Sequence, residues 1–201
     1  MVAAQILRLQ CECGEVAGRL EVVDGRRDYV VCHCTDCQDF ARLFDAEARI
    51  LDEADGTHLL QTRCATLKLE QGGDELACIH LTDKPTLRWY ASCCDTPMFN
   101  TYTNAKVPYI TTLLANCDSE HKNRVAGELL GHLFPGDAGA KGEGFEQAPM
   151  LKLLRGVGSR MVRDILSGDR KRTALFDAET LQPIATPRRL TDDERARLAR
   201  H

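Results

Sequence analysis

The sequence predicts a mainly β fold: a small metal-binding antiparallel β domain over residues 1–117, followed by a partly helical extension over residues 118–201. Three observations carry that expectation. Apolar and polar residues alternate in short runs between residues 5 and 114, with turn residues between them, as half-buried strands require. Seven of the ten cysteines fall in three tight clusters: Cys11/Cys13, Cys32/Cys34/Cys37 and Cys93/Cys94. Beyond Cys117 no further cysteine follows, and apolar residues recur at helical spacing near residues 150–167.

The elements follow in chain order. Residues 5–9 and 16–23 alternate around Cys11-Glu12-Cys13-Gly14, which reads as a β-hairpin with two thiols at its tip. Residues 24–27 form a polar turn before a strand at 29–32. Thr35 and Gln38 read as a capping box opening a short helix over 35–43, burying Phe40 with Leu43 or Phe44. Residues 45–56 are acidic and read as irregular. Four strands are expected at 57–62, 66–70, 76–81 and 86–92, and another at 107–114, with turns at Gln71-Gly72-Gly73-Asp74 and Asp83-Lys84-Pro85. Residues 123–134 are ambiguous, because Val125, Leu129 and Leu133 fit a helix while Gly127 and Gly131 oppose one. Residues 135–144 carry four glycines and read as a flexible loop. Leu151, Leu154, Met161, Val162 and Ile165 then define an amphipathic helix rich in Lys and Arg. It is expected to pack its apolar side on the β domain with its charges solvated, a membrane or acidic partner being the alternative. Thr191 and Glu194 form a second capping box, opening a last short helix.

Composition excludes several classes. Hydrophobic residues make up 43% of the chain, enough for a sizeable core. A formal charge of −4 gives no basis for nucleic-acid binding by the whole chain, and Arg170-Lys171-Arg172 is too short a basic run to argue otherwise. No apolar run reaches 18 residues, so no membrane span is expected. The start of the chain lacks a cleavage-site pattern, which argues against a secretory leader and for a reduced, cytoplasmic setting. In that setting, thiols clustered at ligand spacing indicate metal rather than disulfides.

The thiol clusters are the centre of the functional reading. Cys32, Cys34 and Cys37 pack three soft ligands into six residues, with no fourth beside them in sequence, which suggests an open zinc site. Cys11 and Cys13 make half a tetrahedral site, and the Cys93/Cys94 pair is positioned late enough to supply a second half. Adjacent side chains on a strand point to opposite faces, so the backbone must turn between Cys93 and Cys94 if both bind one ion. His33 should point away from the side shared by Cys32 and Cys34, which favours a supporting role over acid–base chemistry. Cys64, Cys78 and Cys117 read as small buried residues, and His58, His80, His121 and His132 as having no partner at ligand spacing.

Cys11-x-Cys13-Gly14, Cys32-His33-Cys34-x2-Cys37 and Cys94-x-Thr96-Pro97-x-Phe99, in this order, resemble the glutathione-dependent formaldehyde-activating enzymes and the related centromere protein V group. The resemblance spans about residues 7–114. It implies a tent-like, Mss4-like β fold with one or two zinc ions per chain. In that scheme Cys11, Cys13 and Cys94 hold a structural zinc, and Cys32, Cys34 and Cys37 a catalytic one. It further implies carbon–sulfur lyase chemistry, or formation of a thiol adduct, with glutathione as candidate substrate. The chain departs from the pattern where the later cysteine pair begins. Ala91 stands at the position of one family ligand, Cys93 directly precedes Cys94, and Asp95 replaces the usual glycine. Either Cys93 completes the site, which is the expectation, or the structural zinc has three thiolates and a different fourth ligand.

Two alternatives accompany the enzyme reading. One is a non-catalytic zinc-stabilised binding module with a basic C-terminal extension. The other is a thiol redox enzyme of the zinc-bearing methionine sulfoxide reductase kind, which needs a reactive cysteine outside the metal sites. None of the lone cysteines has a setting that supplies one. Arg63, Lys68 and Arg88 are the candidate partners for a substrate carboxylate.

Overall fold

The computed structural model describes residues 4–23 and 25–200; Met1–Ala3 of the start expected not to be a leader, Asp24 of the expected polar turn and His201 lie outside the described residues. In chain order the elements are β1 (Gln5–Gln10), β2 (Ala17–Val22), β3 (Asp28–Cys32), α1 (Thr35–Leu43), α2 (Glu47–Ile50), β4 (Thr57–Arg63), β5 (Leu67–Gln71), β6 (Leu76–His80) and β7 (Thr86–Ala91). There follow β8 (Thr96–Tyr102), β9 (Tyr109–Leu113), α3 (Lys122–Ala126), β10 (Leu129–Leu133), α4 (Met150–Ser167), β11 (Arg188–Arg189) and α5 (Asp192–Leu198). Among the described residues the strands form two sheets, ordered β1-β2-β5 and β10-β3-β4-β9-β8-β7-β6-β11. Most pairings are antiparallel, as expected, but the two outermost strands of the large sheet, β10 and β11, run parallel to β3 and β6. Both come from the extension.

Alternation along each strand separates two cores. Leu7, Leu20 and Leu67 of the small sheet meet Leu60, Trp89 and Phe99 of the large one. The opposite face of the large sheet carries Val30, Leu59, Ile79 and Leu113, covered by Phe40 and Ala41 of α1 and Leu153 of α4. Each large side chain taken out of water here contributes roughly 1.5–3 kcal/mol. This second face also bears a polar row. Asp28 pairs in register with Gln61, Gln61 with Thr111, Thr111 with Asn100 and Asn100 with Arg88.

That row explains the largest departure from expectation. α4 has the expected bounds, but of the large apolar residues along it only Leu153 is buried against the sheet. Arg160 and Asp164 are buried instead: Arg160 Nη2 lies 2.6 Å from Asp28 Oδ2, and Asp164 pairs with Arg63. Leu151, Leu154, Val162, Ile165 and Leu166 are exposed. The sheet offers Asp28 and Arg63 where the helix lands, so charged residues are what it must present. Gly156 permits the approach, because a Cβ there would stand 3.1 Å from Asp28 Oδ2.

Smaller corrections have local causes. β8 is absent from the expected strands, and Pro97, which lacks a backbone donor, stands at its second position. It is tolerated there because β9 pairs only with Phe99–Thr101, and the β7 register shifts beside it. Residues 45–56 are not wholly irregular but contain α2. Residues 122–133 resolve into α3 and β10, separated by Gly127 at φ 75°. Residues 135–142 form tight 3₁₀ turns rather than an unstructured loop. The capping box at Thr35 and Gln38 does not form: Cys34 is the N-cap, and the Gln38 amide donates to the His33 carbonyl at 2.8 Å. The box at Thr191 and Glu194 does form.

Candidate metal centres

The first centre joins the β1–β2 tip to the β7–β8 turn. Cys11 N–H donates to Val16 O and Gly14 N–H to Cys11 O, with Gly14 at φ 84°, which curls the tip around its thiols. Ala91 through Asp95 reverse direction in turn conformation, with Cys94 N–H donating to Ala91 O and Asp95 at φ 53°. Asp95 thus adopts the left-handed conformation a glycine would take, which aspartate tolerates better than most residues. The turn brings the adjacent cysteines to one side. Sγ distances are 3.5 Å for Cys11–Cys13, 3.9 Å for Cys11–Cys93, 3.3 Å for Cys13–Cys93 and 3.8 Å for Cys93–Cys94. All four sulfurs lie within 4.8 Å of one another. Thiolates about 2.3 Å from a tetrahedral zinc stand about 3.8 Å apart, so the four sulfurs outline that polyhedron.

Protonation preferences differ around this ring. Burial pushes the Cys11 thiol up, against a 3.2 Å hydrogen bond from Val16 N–H to its sulfur. Burial opposes charge on Cys94 as well, but the Thr96 hydroxyl 3.0 Å away and the Cys13 backbone N–H hold it down at about 6. A groove of about 510 Å3 runs past Cys11 and Glu12, with Arg8, Arg49 and Asn116 in its walls.

The second centre lies on the other face of the large sheet. β3 ends at Cys32, Cys34 caps α1, and Cys37 sits in its first turn, with Cys37 N–H donating to Cys34 O at 2.9 Å. The three sulfurs lie within 4.8 Å of one another, and Cys32 donates to Cys34 at 3.4 Å. Among the described residues no fourth Cys, His, Asp or Glu completes this group. Cys32 and Cys37 are buried and Cys34 is half-buried, so Cys34 marks the side open to water.

Arg88, one of the candidate carboxylate partners, is engaged inside the protein. It is a buried member of the polar row rather than a free carboxylate partner: Nη1 reaches Cys37 Sγ at 3.4 Å and Asn100 Oδ1 at 3.0 Å. Its signal was a charged residue between Leu87 and Trp89, in a strand buried on both faces. The Cys32 and Cys34 thiols, with Arg88 behind them, hold the Cys37 thiol well below its usual range despite burial. Cys32 is pushed up by sharing protons with Cys34 and Cys37. Although it receives the Cys32 hydrogen bond, Cys34 is pushed up to about 11 by Cys37 and by burial. Arg63, the other arginine considered, is taken up by Asp164 and Asp169.

His33 turns away from the thiols, as its strand position requires. It is fully buried, with Nδ1 3.1 Å from Ala54 O and Nε2 2.9 Å from His132 Nδ1. Phe145 stacks on both imidazoles. His132 thus has a partner that its sequence neighbours do not reveal, because β10 comes from 99 residues away. His58 likewise lies between Tyr29 OH at 2.5 Å and Asp52 Oδ2 at 3.1 Å, beside a cavity of about 300 Å3. Cys64, Cys78 and Cys117 are buried, as expected, and all ten cysteines are free. Among the described residues no helix is long and apolar enough to cross a membrane.

Comparison with known proteins gives little functional guidance. No curated protein matches the chain. A crystal structure of a Rhodobacter sphaeroides protein is similar over 61% of this chain and 96% of that one, at 17% identity and a TM-score of 0.42. Residues 3–140 match a family described only as of unknown function, DUF6151, and the chain belongs to that family.

Proposed function

We propose that this is a two-site zinc protein of the kind its motifs resemble, the glutathione-dependent formaldehyde-activating enzymes. In this reading Cys11, Cys13, Cys93 and Cys94 hold a structural zinc, and Cys32, Cys34 and Cys37 hold a zinc open to a thiol substrate. The observation that carries it is the contrast between the two groups: four thiols at tetrahedral spacing in one and three in the other. When bound in the second group, zinc supplies a Lewis acid that favours deprotonation of a coordinated thiol at neutral pH. The chain's own contribution is positioning and charge. β3 and the first turn of α1 fix the three sulfurs, and Arg88 offsets the negative charge of Cys37. The matching reaction is addition of a thiol S–H across an aldehyde carbonyl, giving a hydroxyalkyl thioether, or the reverse cleavage. Glutathione with formaldehyde is the first pair to test.

The experiment has two parts. Elemental analysis of protein expressed with ample zinc is expected to give one to two equivalents, falling in Cys32→Ser by the open site alone; protein without zinc would refute the reading. Proton NMR of glutathione and formaldehyde with the loaded protein is expected to show faster adduct exchange than without it. Full zinc loading with no thiol-induced change at the Cys32 centre favours the non-catalytic binding module instead.

A further inference from the structure

α4 is an amphipathic helix turned inside out. Its side against the β domain holds Arg160 and Asp164 in ion pairs, while its outer side is aliphatic. At about 100° per residue, Met150, Leu151, Leu154, Val162, Ile165 and Leu166 share an arc of about 160°. Leu151 is 61%, Leu154 62% and Leu166 81% exposed. Six of the large hydrophobic side chains exposed in this protein therefore lie on one helix, about 27 Å long. Two exposed aliphatic groups aligned on one helix side, Met150–Leu151–Leu154 and Val162–Ile165–Leu166, mark an interaction surface rather than ordinary surface scatter.

Charge indicates what covers it. The helix's exposed charged residues, Lys152, Arg155 and Arg163, are all positive, although the whole chain carries −4. Asp164, the helix's one acidic residue, is buried against Arg63, and Asp169 just beyond is engaged by Arg63 and Arg172. Lys171 and Arg172, both exposed, extend the positive region past the helix end. Aliphatic residues flanked by cations match an anionic bilayer, into which such a helix sinks its apolar side while the cations meet headgroups. A protein partner is a poorer fit, because the stripe lacks the aromatic anchors that dominate protein interfaces. A second copy is disfavoured too. Lys152 and Arg163 lie on one flank of the stripe, with Arg155 just inside that edge, and antiparallel pairing about a twofold axis sets that flank beside itself.

We propose that α4 is a peripheral docking helix for anionic lipid surfaces, seated outward by the Arg160–Asp28 and Arg63–Asp164 pairs. The test is co-sedimentation of the full chain with vesicles of phosphatidylcholine alone and of phosphatidylcholine mixed with phosphatidylglycerol. Binding is expected to the mixed vesicles and to be much weaker with phosphatidylcholine. Leu154→Glu with Ile165→Glu is expected to abolish it with the circular dichroism spectrum unchanged, since both side chains are exposed. Lys152→Gln, Arg155→Gln and Arg163→Gln together are expected to weaken binding roughly a hundredfold, about fivefold for each charge. No sedimentation with anionic vesicles, or equal sedimentation of wild type and the double glutamate variant, would overturn the proposal. So would a dimer in sedimentation velocity that the double glutamate variant disperses, which would give the stripe to a second copy.

Discussion

Cys93 offers the sharpest test of the first metal centre. Its sulfur lies 3.3 Å from Cys13, 3.9 Å from Cys11 and 3.8 Å from Cys94, so it occupies one vertex of the tetrahedron. The side chain is exposed, and Cys93→Ala therefore removes almost no packing. Any effect must come through the metal. Structural zinc binds with roughly 10–16 kcal/mol, so one ligand of four contributes roughly 3 kcal/mol. That is about a hundredfold in affinity. Because the binding energy is also folding energy, the melting temperature should fall by about 6–12 °C. The assay is competition for zinc with a chromophoric chelator, read beside sulfur coordination by X-ray absorption. An unchanged affinity and sulfur count in Cys93→Ala would refute the reasoning and leave Cys93 as a free thiol beside a three-thiolate site.

Two further outcomes follow from the extension. Arg63→Ala strands the fully buried Asp164 carboxylate and should cost about 3–5 kcal/mol in urea unfolding; adding Asp164→Leu should recover much of that loss, and strictly additive effects would deny the pair its role. Glu194 is opposed by burial, but Arg188 and the Thr191 N–H hold its carboxyl below its ordinary 4.5. A depressed carboxyl contributes stability that is present above that value and lost as pH falls through the lower, folded one. Hydrogen exchange should therefore show α5 loosening in acid below pH 4.5, and Glu194→Gln should remove the pH dependence; identical acid profiles for the two would contradict it.

Local signals carried much of the fold. The period-two runs located β1 to β7 and β9, and α1 and α4 have the expected bounds, because each rests on short-range patterning. The contacts those signals cannot encode are the ones that surprised. Which side of α4 faces inward depends on Asp28 and Arg63, more than 90 residues away in sequence, and amphipathicity alone gives the opposite answer. The candidate centres were legible as ligand groups, since spacing shows which thiols are near each other. That Cys93 joins Cys11 and Cys13 needed the turn at Asp95, a residue whose left-handed conformation a sequence reading would assign more readily to glycine. Arg88 against Cys37 required knowing that β7 is buried on both faces.

The parallel pairing of β10 with β3 and β11 with β6 has a consequence for strand-to-strand association between molecules. Open sheets recruit strands from other molecules wherever a row of backbone N–H and C=O groups is left unpaired. Here the stretch after residue 117 seals both flanks of the large sheet. The outer flank of β10 is paired at His132 with residues 146–148 and otherwise interrupted by Gly131 at φ 140° and by a register shift between Leu129 and His132. β11 is two residues long and carries Arg188 and Arg189. Both replacements are poor templates: one bent, the other short and charged. A fragment ending at residue 117 would keep every cysteine, yet it would expose the unpaired flanks of β3 and β6, each five residues long, and zinc loading would not prevent strand-to-strand aggregation.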